Sequence, residues 1–281
     1  MNDDRLIALV DELRNHTAEE PWFEFKRSNS DPVMIGVRIS ALANASRVIE
    51  KHYGYLVWGI DDETHAVVGT NFNPSQKHKG EPMQMWLAKT LNPSPQFRFL
   101  PVNHPGGRVI VLQIPAATHT PVKFDRVAYI RVGSATPRLD GQPELERALW
   151  AKLQTFAWEK GVALQHLTTG EALEALNYAS YFELLGEPVP ATSVTVLERL
   201  LADKLLTRDV GDRWNILNLG AILFANRLDA FDDLKRKAVR VVEYAGKDQS
   251  RIRRRRDQAD GYGSGFANLI DFINEVAQGD E

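Results

Sequence analysis

Apolar residues recur at helical spacing over 4–15, where Leu6, Ile7, Val10 and Leu13 form one stripe, and this predicts a short amphipathic helix. Pro21 interrupts that pattern. Trp22-Phe23-Glu24-Phe25-Lys26 then alternates with the period of a strand, placing Phe23 and Phe25 on one face and Trp22, Glu24 and Lys26 on the other. Residues 33–50 predict a helix packed along Ile35, Ile39, Leu42 and Ala43, and 54–60 (GYLVWGI) is an apolar run of strand length ended by Asp61 and Asp62. A helix near 81–91, strands near 95–102 and 107–114 about the turn Pro105-Gly106-Gly107, and a strand over 127–133 complete a first unit, 1–140.

The second unit, 141–281, reads as helices over 142–160, 195–206, 218–226 and 265–276 with a strand over 237–244. Helix 195–206, followed by Leu205-Leu206-Thr207-Arg208, the turn Gly211-Asp212 and the run Trp214–Leu217, has the order of a winged-helix element, or of a plain helix–hairpin packing unit. Gly261–Gly265 follows no strand, so it lacks the dinucleotide-binding context and reads as a flexible turn into the last helix. The fold class is α+β: a mixed sheet with packed helices, followed by a smaller α/β extension.

Composition narrows the chemistry. The absence of cysteine in 281 residues excludes disulfides, thiolate nucleophiles, thiolate zinc sites and iron–sulfur clusters, and suits a reducing cytoplasm. The acidic start MNDDRLIALVDELRN is unlike a signal peptide, and no apolar run has the length of a membrane span. The seven histidines are scattered, with none at the i, i+4 spacing of a helical metal pair. A net charge of −3 means that any affinity for nucleic acid comes from a local patch.

The carboxylates are the first candidate chemistry. Glutamate has low strand propensity, so Glu24 between two phenylalanines needs a partner. Lys26 shares its face and can pair with it. Alternatively, if strand 22–26 lies beside strand 54–60, Glu24, one of Asp61 and Asp62, and Glu19 can converge. A hard cation such as Mg²⁺ or Mn²⁺ relieves the repulsion of such a cluster and activates water against a phosphodiester. Strand parity puts Asp62 on the face of Leu56, Trp58 and Ile60 and Asp61 on the other, although the turn can override it.

Four pieces in order, Glu19-x4-Glu24-Phe25-Lys26, the helix segment Ile39-Ser40-Ala41-Leu42-Ala43-Asn44, Gly54–Asp62, and the segment Tyr129–Ser134, resemble the Schlafen-type AlbA domain. The resemblance spans roughly 15–140. It implies a nucleic-acid-binding module and, for members with nuclease activity, a metal-dependent endoribonuclease acting on tRNA-like RNA through three acidic residues. Those fall here on Glu19, Glu24 and Asp62, as catalytic groups and as ligands of Mg²⁺ or Mn²⁺. The family commonly has two glycines before its second strand, whereas His52-Tyr53-Gly54 has one. The second half, Asn218–Ala225 and Val239–Asp248, resembles the segment that follows the AlbA module in larger prokaryotic RecG-like or ATP-binding proteins. That implies a regulatory module for an ATPase domain lying C-terminal to it; no ATP-site motif is visible within the chain itself.

Basic residues are the second candidate. Arg251, Arg253, Arg254, Arg255 and Arg256 lie within six positions, and 235–256 holds ten Lys/Arg against Glu243 and Asp248. Arginines fork onto phosphate oxygens and release counterions, so this run predicts contact with the backbone of RNA or DNA. Lys26, Lys123 and Arg131 are further candidates for the same contact. The expectation is a cytoplasmic nucleic-acid-binding protein, not a membrane protein, with self-association left open.

Overall fold

The computed structural model describes residues 3–232, 234–245 and 251–278. The chain divides into two compact units, Met1–Phe156 and Ala157–Glu281.

Unit 1 opens with α1 (Asp3–Arg14), which has Asp3 and Asp4 in its first turn and Arg14 in its last, the charge order that complements a helix dipole. Its stripe Leu6, Leu9, Val10 and Leu13 is buried. Next come β1 (Phe23–Lys26), α2 (Pro32–Val48) and β2 (Tyr53–Trp58). The Asp31 carboxylate accepts from the Val33 amide at 3.0 Å and Pro32 occupies the first turn, so both standard start signals set α2. A two-stranded ribbon, β3 (Lys77–His78) with β4 (Glu81–Pro82), leads into α3 (Met83–Thr90) and β5 (Leu91–Asn92). The hairpin β6 (Arg98–His104) and β7 (Gly107–Pro115) follows, then the small hairpin β8 (Lys123–Phe124) and β9 (Val127–Ala128), and α4 (Pro143–Gln154).

The main sheet has the order β1-β2-β7-β6. β1 and β2 are parallel, joined by α2 as the crossover, and the other pairings are antiparallel. Strand parity sorts the two faces. Leu56, Trp58, Ile110, Leu112 and Ile114 join Ile35, Ile39 and Leu42 of α2 and Leu149 and Leu153 of α4 in one core. Phe23 and Phe25, level with Tyr55 and Val57, face the other way, and Phe23 meets His16 just beyond α1. The expected helix 142–160 ends at Gln154 and belongs to unit 1, because its apolar stripe completes this core. Gly54 allows the close approach of α2: a Cβ there lies 3.0 Å from Leu42 Cβ and from Ser46 Oγ. Gly59, with φ +95°, turns the chain out of β2 toward Asp61 and Asp62.

The expected strand over 127–133 ladders only at Val127–Ala128. Beyond it the chain is tied to α2. Asn44 Nδ2 donates to the carbonyls of Val122 (2.9 Å) and Tyr129 (2.8 Å), and Asn44 Oδ1 accepts from the Val122 amide at 2.8 Å. Ser40 Oγ donates to the Val122 carbonyl at 2.7 Å and accepts from the Tyr129 amide at 3.0 Å. A buried backbone must find partners: two helix side chains serve Val122 and Tyr129, while Ile130 and Val132 bond to Pro137 and Ala135 of the returning chain. This clamp fixes where Arg131 begins.

Unit 2 contains β10 (Val162–Leu167), α5 (Thr169–Ala175), α6 (Tyr178–Leu185), α7 (Ser193–Ala202), β11 (Leu206–Arg208), β12 (Trp214–Leu217), α8 (Asn218–Phe224), β13 (Arg240–Tyr244), β14 (Ile252–Asp257) and α9 (Tyr262–Gln278). Its sheet order is β10-β12-β11, with α7 leading into the β11–β12 hairpin. The helix–hairpin order expected over 195–217 is therefore present. The exposed positions of α7, however, are Ser193, Val194, Thr195, Glu198 and Ala202, and its Arg199 is held by Glu187 at 3.0 Å, so the helix presents no cationic face. Gly263 and Gly265 lie inside the first turns of α9, against Phe224 and Gln258, so the glycine-rich stretch is helix and not the flexible turn expected. Tyr244 and Ile252 pair across β13–β14, so the arginine run is a strand and not a loop.

Replacing Asn44 with Ala leaves buried backbone groups at Val122 and Tyr129 without their partners. It is expected to cost about 3 kcal/mol in urea unfolding, more than a surface Asn→Ala change.

Candidate functional site

In the parallel register Glu24 lies opposite Leu56 and Lys26 opposite Trp58, so parity sends the Glu24 carboxylate toward the α2 side of the sheet, where it is 3% exposed. An isolated buried carboxylate is strongly unfavourable, and the structure meets it with three cations. Arg38 Nε donates to Oε1 at 2.7 Å, Lys26 Nζ lies 3.0 Å from the same oxygen, and Arg131 donates to Oε2. Burial pushes the Glu24 carboxyl up, but Arg131, then Arg38 and Lys26, outweigh it and hold the group below the ordinary glutamate value.

Arg131 is 2% exposed and forks between two carboxylates, donating to Glu24 and, at 2.5 Å, to Glu19 Oε2. The other oxygen of Glu19 accepts from the Phe25 amide at 2.6 Å. Lys26 bridges outward to Asp62 Oδ2 at 3.1 Å. The five residues Glu19, Arg131, Glu24, Lys26 and Asp62 thus form one alternating chain of charge, with Arg38 at its centre. Its members pass from buried Glu24 to Asp62, which is exposed. Asp61 has a different task. It accepts from the Thr64 amide and hydroxyl, each at 2.8 Å, and pairs with Arg27 at 2.9 Å. The Thr64 amide, then its hydroxyl, hold Asp61 below the ordinary aspartate value.

The structure brings Glu19, Glu24 and Asp62 into one cluster, but with cations between them. Among the described residues no three His, Cys, Asp or Glu side chains are grouped to hold a metal ion. Both oxygens of Glu19 and both of Glu24 already accept from protein donors. A cation taking these oxygens would strip Arg131 of its counter-charges and leave a guanidinium buried and unpaired, a change that costs several kcal/mol. The donor set does not fit Mg²⁺ or Mn²⁺ in this arrangement, and no cleavage chemistry follows from it. Arg131, buried and committed to two carboxylates, is likewise not presented to a phosphate, and Lys26 is shared by Glu24 and Asp62.

The remaining basic residues lie elsewhere. Lys123 is exposed at the start of the β8–β9 hairpin. Arg253 and Arg254 both reach Glu243, at 2.9 and 3.5 Å. Arg255 and Arg240 share Asp257, each at 2.6 Å, and hold it down to a pKa of about 2. The Arg256 guanidinium stacks 5.3 Å from the Phe272 ring centre, and Arg251 is exposed. Lys247 and Asp248 lie outside the described residues.

Sequence reasoning did not single out Arg38. Its signal is the one charge in the stretch Val33–Leu42, one that lands over Glu24 only once α2 crosses β1. Nor did it give a role to Ser40 and Asn44, polar residues at helical spacing on a buried face.

Residues 19–140 match the family model described as Schlafen, AlbA_2, and they form a domain of that family. The matched segment holds every member of the charge chain. Among solved structures the chain is similar to the DIP2311 protein from Corynebacterium diphtheriae, at 15% identity and a TM-score of 0.35, over 97% of this chain and 48% of that one. The chain therefore spans about half the length of that protein. No curated protein matches.

A depressed folded-state pKa contributes stability that is present above the unfolded value and lost as pH falls through the folded one. Glu24 is such a group. Urea midpoints measured downward from pH 7 are expected to decline below the ordinary glutamate range of about 4.3. In Glu24→Gln the midpoint is expected to be lower at pH 7, with a shallower decline in acid.

Proposed function

We propose that this protein binds nucleic acid by its phosphate backbone, with the β13–β14 hairpin of unit 2 as the principal contact. One observation carries the reading. Arg240, Arg253, Arg254, Arg255 and Arg256 gather on two paired strands with Arg251 just before the second, and the described acids on those strands are only Glu243 and Asp257. In a chain of net charge −3 this is a concentrated positive surface. The pairing also does something for recognition. A β-ribbon fixes the spacing of successive arginines, and Asp257 and Glu243 orient the guanidinium planes without neutralising the whole set.

The association of the Schlafen AlbA_2 family with nucleic-acid binding supports a nucleic-acid ligand for the protein, while the choice of the hairpin, which lies outside the matched residues 19–140, rests on its charge alone. Contacts to phosphate carry no base identity, so the expected behaviour is sequence-tolerant and strongly salt-dependent. Filter binding to a duplex DNA and to a structured RNA over a series of salt concentrations tests it. Changing Arg251, Arg253 and Arg254 to Ser is expected to weaken binding to both polymers. On DNA it should lower the magnitude of the log–log salt slope by about 2 to 3, near one unit per lost phosphate contact. An unchanged slope removes the hairpin from the binding surface.

A further inference from the structure

Unit 1 carries a second set of charged side chains that the ion-pair chain does not use. They line a cleft of about 220 Å³ between the β8–β9 hairpin and the start of α4. Lys123 and Arg126 stand on the hairpin, Arg138 and the buried Leu139 form the adjoining wall, and Glu146 and Trp150 face in from α4. Arg138 is tied to Asp140 at 2.6 Å. Among the described residues Lys123, Arg126 and Glu146 have no side-chain ion pair, and Trp150 is 40% exposed, a large aromatic left open at the rim.

The hairpin turn adds a second observation. Its two central residues, Asp125 (φ +46°) and Arg126 (φ +68°), are both left-handed, the geometry of a type I′ turn. Asp-Gly is the favoured sequence for such a turn, and an arginine at the second position is conformationally disfavoured. The backbone alone gives no reason for Arg126; a ligand at the cleft does.

We infer that this cleft binds a nucleotide, its base stacked on Trp150 and its phosphate held by Lys123 and Arg126. The occupant needs three features at once. It must offer a flat π face to Trp150 and an anionic group to the two unpaired cations, and hydrogen-bond donors to the unpaired Glu146 carboxylate. A nucleotide whose base has adjacent N–H donors meets all three, and guanine, with N1–H and N2–H₂ side by side, suits a carboxylate best. This chemistry has two sources, a free mononucleotide or the terminal nucleotide of a strand. The hairpin reading concerns polymers and their salt slope, whereas this one concerns a single nucleotide in unit 1, so either can fail without the other.

Isothermal titration with guanosine 5′-monophosphate, guanosine, uridine 5′-monophosphate and a short RNA with a 5′-phosphorylated terminal guanosine tests it. The monophosphate or the RNA end is expected to bind, with guanosine weaker for lack of the phosphate and the uridine nucleotide weaker for lack of the paired donors. Trp150→Ala is expected to weaken binding about tenfold. Arg126→Gly should weaken it comparably while leaving the melting temperature unchanged or raised, because glycine relaxes the turn. Glu146→Gln should remove the preference for guanosine. Binding of the free nucleotide alone identifies a mononucleotide site, and binding of the RNA end alone identifies an end-recognition site; both support the inference. Absence of binding by both, or binding unaltered by Arg126→Gly and Trp150→Ala, overturns it.

Discussion

A single buried guanidinium organises the first unit. Arg131 is closed off from solvent, and a charge in that position is tolerated only with counter-charges in hydrogen-bond geometry. Glu24 and Glu19 supply them, and each is delivered by a different device. Glu24 is aimed by strand parity beneath α2, while Glu19 is fixed by its bond to the Phe25 amide. Arg131 itself is delivered by the Asn44 and Ser40 clamp on the chain just before it. The sheet, the crossover helix and the C-terminal part of the AlbA_2 domain are thus locked together at one point. Van der Waals packing of the apolar core supplies the bulk of the burial, but it does not specify which segment lies over β1. The ion pairs do.

This changes the meaning of the acidic residues. Three carboxylates near one another suggest a metal centre when only their positions along the chain are known. Placed in space, Glu19, Glu24 and Asp62 alternate with Arg131 and Lys26, with Arg38 added from above. A cluster that is already balanced gains little from a divalent ion and loses its buried pairings to admit one. The surfaces left for function are those whose charges are not balanced: the arginine ribbon of unit 2 and the Lys123–Arg126 cleft of unit 1.

Much of this was legible in the sequence where periodicity was clean. The stripe of α1, the alternation of β1 and the apolar run of β2 each predicted the right element, and the anomaly of Glu24 pointed to the centre of the cluster. The pairing of Glu24 with Lys26 follows from parity alone. What could not be read is what depends on contacts distant in the chain. Arg131 read as a phosphate-contacting strand residue because the segment 127–133 has strand composition, yet Tyr129 two residues before it bonds to helix side chains more than 75 residues away. Elements β10, α5 and α6 were missed because each is short and only partly buried, so the hydrophobic pattern is weak. The arginine run lacks apolar alternation altogether, and its strand conformation comes from pairing with β13.

A double-mutant cycle between Glu24→Gln and Arg131→Met, by urea unfolding in EDTA and again with Mn²⁺, addresses the central pairing directly. Each single change strands a buried partner, whereas the double change removes both charges. The expected result is a coupling of about 2 to 3 kcal/mol, the same with and without metal. Additive losses, or a wild-type protein stabilised by Mn²⁺ through Glu24, would contradict it.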